Sequence, residues 1–211
     1  MDIRDLNLID FAQAYALQES LVQQVLTGLG PETLLLMEHP AVYTIGRGGN
    51  EKNILDPFIE WIRINRGGDV TFHGPGQLIG YPIINLANRG RDLHRFMHTL
   101  EEGLILTAAD FGVKAYRVTG LTGVWTEQGK LASIGVGIRR WITMHGFALN
   151  VLTSSLAGFE RINPCGIKNC SVTSLEDESV RTISMKEVKA RLLANLCFLL
   201  LERLPRSDFV H

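Results

Sequence analysis

IRINRGGDVTFHGPGQLIGYPIINL, the stretch from residue 62 to residue 86, places a glycine-rich segment between two apolar runs. Residues 62–65 and 77–86 are predicted strands, because their apolar residues are bounded by glycine, proline and asparagine. Strands joined by short connections pair in antiparallel or mixed sheets, whereas parallel sheets need long crossovers. The stretch therefore predicts an α+β fold with a mixed, largely antiparallel sheet packed by helices, and argues against a doubly wound nucleotide-binding fold.

Helices are predicted on both sides of this stretch. Apolar residues at helical spacing predict helices over residues 10–26 and 93–111, which glycines at 28 and 112 bring to an end. Ser184 and Glu187 predict a capping box that opens a final helix. The remaining predicted strands are residues 33–38, 41–45, 113–118, 123–126, 130–138 and 142–151, with a hairpin turn at 127–129.

Composition predicts one compact domain over residues 1–211. The chain has 211 residues, of which 45% are hydrophobic and 20% charged, enough to bury a substantial core. Its formal charge of −1 excludes the broad basic field that non-specific nucleic-acid binding needs. No apolar run approaches the ~20 residues of a membrane span, and the N-terminus lacks a signal-peptide pattern. Three cysteines without metal or disulfide spacing favour a reducing compartment, and we expect a cytoplasmic protein.

The glycine-rich segment suggests a ligand-binding loop. Glycines at 67, 68, 74 and 76 leave backbone N–H groups free of side-chain cover, so a carbonyl, carboxylate or phosphate can approach closely. A tight connection between strands is the alternative for any two of these glycines. Gly129-Lys130 is followed by Leu131, which excludes a Walker phosphate loop.

Cys165 is the candidate nucleophile. Pro164 and Gly166 hold it in a sharp turn, where a thiol can face a cleft and nearby amides can stabilise an oxyanion. A free thiol has a pKa near ~8.5, so a cation or base must generate the thiolate. Cys197, amid helical leucines, is more simply a small core residue, and Cys170 has no assigned role.

The basic residues offer several partners for this thiol. Lys130 is alone among the basic residues between 123 and 137, and from its position alone it is a solvated turn lysine. His73 and His145 each precede glycine, and His73 is the better functional candidate. His94 and His98 stand four apart on a helix, but Arg95 replaces the glutamate of a zinc motif, so we interpret them as surface residues.

Six motifs follow one another along the chain, within the part from about residue 34 to residue 175. They are RGGDVTFHGPGQ at 66–77, GVW at 123–125, KLASIGVG at 130–137, HGFALNV at 145–151, NPCG at 163–166 and VTSL at 172–175. In this combination and order the chain resembles the lipoyl(octanoyl) transferase family of lipoate biosynthesis. The resemblance implies the fold of the biotin and lipoate protein ligase catalytic domains.

The resemblance also implies a reaction and its residues. An octanoyl group would pass from octanoyl-acyl carrier protein to a lysine of lipoyl domains, those of 2-oxoacid dehydrogenase complexes and of the glycine cleavage H protein. Cys165 would carry the acyl group as a thioester, and Lys130 would ionise it and relay protons. No cofactor, metal or ATP is implied, and a monomer is expected. The implied substrate-binding residues are Arg66, Gly67, Gly68, Asp69, Val70, Thr71, Phe72, His73, Ser133, Ile134, Gly135, Gly146, Phe147 and Ala148.

Three alternatives stay open. An ATP-dependent lipoate or biotin ligase on the same fold would form an adenylate and need no cysteine. A catalytically silent acyl-binding module would need neither Cys165 nor Lys130. A cysteine hydrolase would need a third residue to orient His73 or His145 as a base, and the sequence shows none. For octanoyl transfer, Val70, Phe72, Ile134 and Phe147 are expected to line an acyl tunnel.

Overall fold

Residues 1–206 of the computed structural model form ten strands in two sheets. The strands are β1 (Asp2–Leu8), β2 (Thr33–Glu38), β3 (Val42–Ile45), β4 (Trp61–Arg63), β5 (Val70–His73), β6 (Gln77–Ile83), β7 (Tyr116–Val118), β8 (Leu121–Trp125), β9 (Lys130–Arg139) and β10 (Ile142–Asn150). The helices are α1 (Phe11–Thr27), α2 (Leu93–Asp110), the short α3 (Leu175–Glu178) and α4 (Met185–Arg203).

The large sheet has the strand order β1-β2-β6-β10-β9-β8-β7. Only β1 and β2 run parallel in it, and all other neighbours are antiparallel. The predicted mixed, largely antiparallel sheet is therefore confirmed. Strand β1 was not predicted from the sequence; its alternating charged and apolar residues are typical of an edge strand with one half-buried face.

Helices cover both faces of the large sheet, which explains the continuous apolar runs in its central strands. On β2, Leu34 and Leu36 face α2 and α4, while Leu35 and Met37 face α1. Asp10 caps α1 by accepting from two backbone amides, and Gly28 ends it in the left-handed conformation. This first helix and α2 lie where they were predicted.

The predicted capping box of the last helix is wrong in detail. Ser184 is the N-cap residue of α4, but its side chain makes no capping hydrogen bond. The carboxylate of Glu187 instead lies 3.4 Å from the guanidinium of Arg181. The helix is stabilised by packing, since Val188, Leu192 and Leu196 lie in the same core as α2.

A second, three-stranded sheet has the order β4-β3-β5. Its strand β5 lies within the segment that was predicted to be a loop throughout. Every residue of β5 is buried, because one face packs on Tyr43, Ile45 and Phe159 in a core of its own.

None of the helices within residues 1–206 has the length and apolar character that crossing a bilayer requires.

Candidate active site

Cys165 occupies a strained turn between the two sheets. Its backbone is left-handed, with φ 56° and ψ 22°, a conformation that costs a residue with a side chain about 1–2 kcal/mol. The turn is closed by a hydrogen bond from the Gly166 amide to the Asn163 carbonyl, at 3.0 Å. The Asn163 amide in turn donates to the carbonyl of Asn53 at 2.7 Å. Strain held in place by its surroundings is typical of a functional residue.

Asp69 of the glycine-rich segment fixes the other side of this turn. One carboxylate oxygen accepts from the side-chain amide of Asn53 at 2.8 Å, and the other accepts from the Val70 amide at 2.6 Å. A Cβ atom added to Gly166, whose φ is 77°, would lie 2.8 Å from the Asp69 carboxylate. The glycine-rich segment and the NPCG motif are therefore packed directly against each other.

Lys130 begins β9, and its backbone pairs with the chain that follows the nucleophile turn. Its amide donates to the Ser171 carbonyl at 2.8 Å, and its carbonyl accepts from the Thr173 amide at 3.1 Å. The side chain is only 2% exposed. Its Nζ lies 2.9 Å from Sγ of Cys165 and 5.2 Å from the centre of the Trp125 ring. Lys130 is therefore buried, and not solvated as its place in the sequence alone suggests.

A narrow cavity leads from Cys165 into the space between the sheets and α1. Its empty volume is about 460 Å³ with the open mouth included. The implied binding residues that line it are Arg66, Gly68, Asp69, Thr71, His73, Ser133, Ile134, Gly135, Gly146, Phe147 and Ala148. Four further residues line the cavity that the sequence did not predict as binding residues: Phe11, Ile64, Tyr81 and His145.

Gly67, Val70 and Phe72 do not line this cavity. Side chains of a strand alternate between its two faces, so Thr71 and His73 of β5 face the cavity while Val70 and Phe72 face away. Val70 and Phe72 pack into the core of the small sheet. The expectation that these two residues line an acyl tunnel is therefore not met, whereas Ile134 and Phe147 do line the cavity.

An open groove reaches the same cysteine from another side, with an empty volume of about 820 Å³. Leu93 and Met97 of α2 form one wall, and residues 120–122 of the β7–β8 hairpin form another. Gly67 and Lys130 line this groove, and Cys165 lines both the groove and the cavity. The lysine and cysteine pair therefore lies where the two spaces meet.

Arg66 supplies a buried positive charge to the cavity. It is 7% exposed, and its guanidinium donates to the carbonyl and hydroxyl oxygens of Thr44 and to the Gly67 carbonyl. Burial lowers the pKa of Arg66, and the nearby Cys165 acts against that shift. These three carbonyl and hydroxyl partners hold the side chain in one orientation.

The two histidines of the cavity are neutral. Burial lowers the pKa of His73 to about 3 and that of His145 to about 3, and the charge of Arg66 contributes to both shifts. The Nδ1 of His73 lies 3.2 Å from the Gln77 side-chain oxygen, and the Nε2 of His145 lies 2.8 Å from that of Asn65. These contacts orient both rings toward amides, so neither forms the cysteine–histidine pair of a hydrolase.

The other residues considered for chemistry line neither the cavity nor the groove. His94 and His98 are exposed, and His98 lies beside Glu101. Within residues 1–206, no group of three or more His, Cys, Asp or Glu side chains could hold a metal ion. All three thiols are free, and burial raises the pKa of both Cys170 and Cys197.

Comparison with known proteins places the chain in a family. Residues 10–197 match the model of the lipoyl protein ligase A/B catalytic domain. An octanoyltransferase of Geotalea uraniireducens is 62% identical over 208 residues, which are 99% of this chain and 97% of that protein. An octanoyltransferase of Syntrophotalea carbinolica is 58% identical, over 99% of this chain and 98% of the relative.

Solved structures share the fold at low sequence identity. A lipoate-protein ligase A bound with ATP superposes with a TM-score of 0.70 at 17% identity, over 95% of this chain and 86% of that one. A biotin protein ligase from Aquifex aeolicus in complex with biotin and ATP superposes with a TM-score of 0.61 at 16% identity, over 98% of this chain and 73% of that one. The ligase-like fold expected from the sequence motifs is thereby confirmed.

Proposed function

The chain belongs to the octanoyltransferases of the lipoyl protein ligase A/B catalytic-domain family, and we propose that it transfers octanoyl groups through a thioester on Cys165. In this proposal one catalytic domain carries the group from octanoyl-acyl carrier protein to a lysine of lipoyl domains. The single observation that carries the mechanism is the 2.9 Å contact between Lys130 Nζ and Cys165 Sγ at the junction of cavity and groove.

The first half-reaction begins with proton transfer from the Cys165 thiol to the Lys130 amine. A buried ammonium is costly unless it is paired, so the thiolate and the Trp125 ring stabilise the charged lysine together. The thiolate attacks the thioester carbonyl of the donor. The carbon–sulfur bond to the carrier breaks, and Lys130 returns its proton to the departing thiolate, leaving octanoyl-Cys165 and a free carrier thiol.

The second half-reaction runs in the opposite sense on the same two residues. The neutral amine of the acceptor lysine attacks the acyl-enzyme carbonyl, and the Lys130 amine accepts the proton that the attacking nitrogen loses. The bond to Cys165 breaks and an amide forms. The proton on Lys130 then returns to the cysteine sulfur. Since a thioester is converted to an amide, no nucleotide is consumed.

The two spaces at Cys165 suggest how the reactants are arranged. Ile134, Phe147 and Ala148 give the narrow cavity apolar walls, which suit an acyl chain. The wider groove is lined by Lys130 as well as by Cys165, which suits the donor's thioester arm and later the acceptor lysine. The acyl chain would then stay in place while donor and acceptor exchange.

Acyl carrier proteins are acidic, and we propose that the donor docks on exposed arginines near the groove. Arg91 and Arg95 lie at the start of α2 next to Leu93, which lines the groove, and Arg139 and Arg140 lie at the β9–β10 turn. Arg89 is close in sequence to Arg91 but is not part of this proposed patch. Its side chain is 8% exposed and forms an ion pair with Glu32 at 2.7 Å.

The competing hypothesis is an ATP-dependent ligase, since ligases share the fold. The test is transfer to a lipoyl domain from either octanoyl-acyl carrier protein without ATP or octanoate with ATP. We expect transfer from the carrier thioester alone and its loss in Cys165→Ala. Full activity of Cys165→Ala with octanoate and ATP, and none of the parent with the thioester, would select the ligase instead.

A further inference from the structure

Glu101 is a buried acidic residue of α2 to which the proposed chemistry assigns no role. Its side chain is 7% exposed. One carboxylate oxygen accepts from the backbone amide of Gly123 on β8 at 3.1 Å. The other accepts from the Arg117 guanidinium at 2.9 Å and lies 3.1 Å from Nδ1 of His98. A buried carboxylate is costly unless it is paired, so these partners hold it in one position.

Gly123 forms the surface on which the lysine side chain lies. A Cβ atom added there would be 2.9 Å from Cε and 3.4 Å from Nζ of Lys130. It would also be 2.5 Å from the carbonyl oxygen of Ala132. The lysine methylenes therefore pass directly over the Cα atom of Gly123, where any side chain would displace them.

The pairing of the sheet is irregular at this point. Gly123 has a φ of 120°, which glycine adopts readily because it has no Cβ atom. The pairing of β8 with β9 shifts register between Val124 and Trp125, and such irregularities interrupt the ladder of hydrogen bonds. One additional hydrogen bond from outside the sheet can therefore fix the local conformation.

We propose that Glu101 is a positioning residue for Lys130. By accepting from the Gly123 amide, it fixes the backbone surface under the lysine and with it the separation of Nζ from Sγ of Cys165. Arg117 orients the carboxylate for this contact. The inference rests on the proposed pairing of Lys130 with Cys165 and adds the residue that sets its geometry.

The test measures the reactivity of Cys165 directly, without acyl substrates. In a Cys170→Ser, Cys197→Ser background, the rate of alkylation by iodoacetamide is followed from about pH 6 to about pH 9, where a thiol ionises. The variants are Glu101→Ala, Glu101→Gln and Lys130→Met. Glu102→Ala is the matched control, because Glu102 also pairs with Arg117, at 2.6 Å, and the Gly123 amide bonds to Glu101 instead.

We expect Glu101→Ala to slow alkylation at neutral pH and octanoyl transfer by roughly 10-fold to 100-fold, and to move the pH profile toward that of Lys130→Met. Glu101→Gln keeps an oxygen that can accept from Gly123 and should recover most of the loss. Glu102→Ala should stay within about twofold of the parent. Equal alkylation rates and pH profiles for folded Glu101→Ala and Glu102→Ala would overturn the proposal.

Two further comparisons keep the test decisive. If Glu101→Ala does not fold, Arg117→Leu is combined with Glu101→Gln or with Glu101→Leu. Both double variants remove the buried ion pair. Only the one with Gln at position 101 keeps a side-chain oxygen that can accept from the Gly123 amide, so equal rates of Cys165 alkylation in the two variants would overturn the proposal. An unchanged alkylation profile in Lys130→Met would refute the lysine–cysteine pairing itself. A change there without one in Glu101→Ala would refute only the role of Glu101.

Discussion

Lys130 Nζ and Cys165 Sγ lie 2.9 Å apart although 35 residues separate them in the chain. The backbone of Lys130 pairs with Val172, just beyond the nucleophile turn, so strand pairing itself brings the two side chains together. The contact places an amine at the only sulfur in residues 1–206 that lines the cavity.

Replacing the amine should remove proton transfer while leaving the thiol in place. Lys130→Met is expected to lower the rate constant of octanoyl transfer by about 10²-fold to 10⁴-fold, the range for loss of a general acid–base group. Lys168→Met, an exposed lysine close to the same turn, is the control and should transfer at the parent rate. Steady-state transfer assays check both, and a fully active Lys130→Met would contradict the assigned role.

Filling the cavity should shorten the preferred acyl chain. Ala148 of β10 is buried and lines the cavity, so Ala148→Val takes space from the chain. We expect kcat/KM for octanoyl donors to fall by roughly 10-fold relative to hexanoyl donors, because one or two methylenes in an apolar pocket discriminate by this amount. Ala14→Val, which overpacks a buried position of α1 outside the cavity, should leave the preference unchanged. A parallel loss for both chain lengths in Ala148→Val would count against this location of the acyl chain.

Acid should destabilise the fold through its buried histidines. His73 and His145 have pKa values of about 3 in the folded state because burial disfavours their charged forms. In the unfolded chain they take up protons near pH 6.5, so unfolding becomes more favourable as the pH falls from about 6.5 toward 3. Each histidine contributes at most about 1.4 kcal/mol per pH unit to the slope of the free energy of unfolding.

Urea unfolding of His73→Asn between about pH 6.5 and about pH 5 measures this contribution, and its slope should be shallower than that of the parent. Glu32 contributes to the pH dependence of the unfolding free energy only at lower pH. Burial raises the pKa of Glu32, but the ion pairs with Arg89 and Arg206 bring it below its usual range. An identical slope in His73→Asn and the parent would show that the histidine is charged in the folded state.

Charge reversal near the groove should weaken donor binding. Arg95→Glu and Arg139→Glu are expected to raise KM for the octanoyl carrier protein, and the parent KM itself should rise with salt, since steering by exposed charges is screened. Arg191→Glu is the control, because Arg191 is exposed on α4. It lies four residues from Asn195, whose side-chain amide donates a hydrogen bond to Asp110 at the far end of α2. A donor KM that does not change with ionic strength would contradict docking on this patch.

The fold class could be predicted from sequence because its signals are local, whereas the role of Lys130 and the binding residues were implied only by the family resemblance. Glycine after an apolar helical run marks the end of α1, and the NPCG motif marks a turn that exposes a thiol. The β5 strand could not be predicted, since its four residues between glycines are stabilised by packing against Tyr43 and Phe159. Phe11 and Tyr81 reach the cavity through the packing of α1 on the sheet, a tertiary arrangement with no local signal. Glu101 looks like any charged helical residue until its contact with Gly123 is seen.

The most direct test of the central claim is mass spectrometry of the protein mixed with octanoyl-acyl carrier protein in the absence of an acceptor. We predict one octanoyl adduct, mapped by peptide digestion to Cys165, that disappears when a lipoyl domain is added and its lysine becomes octanoylated. Rapid transfer to the lipoyl domain with Cys165 unmodified throughout would contradict the account.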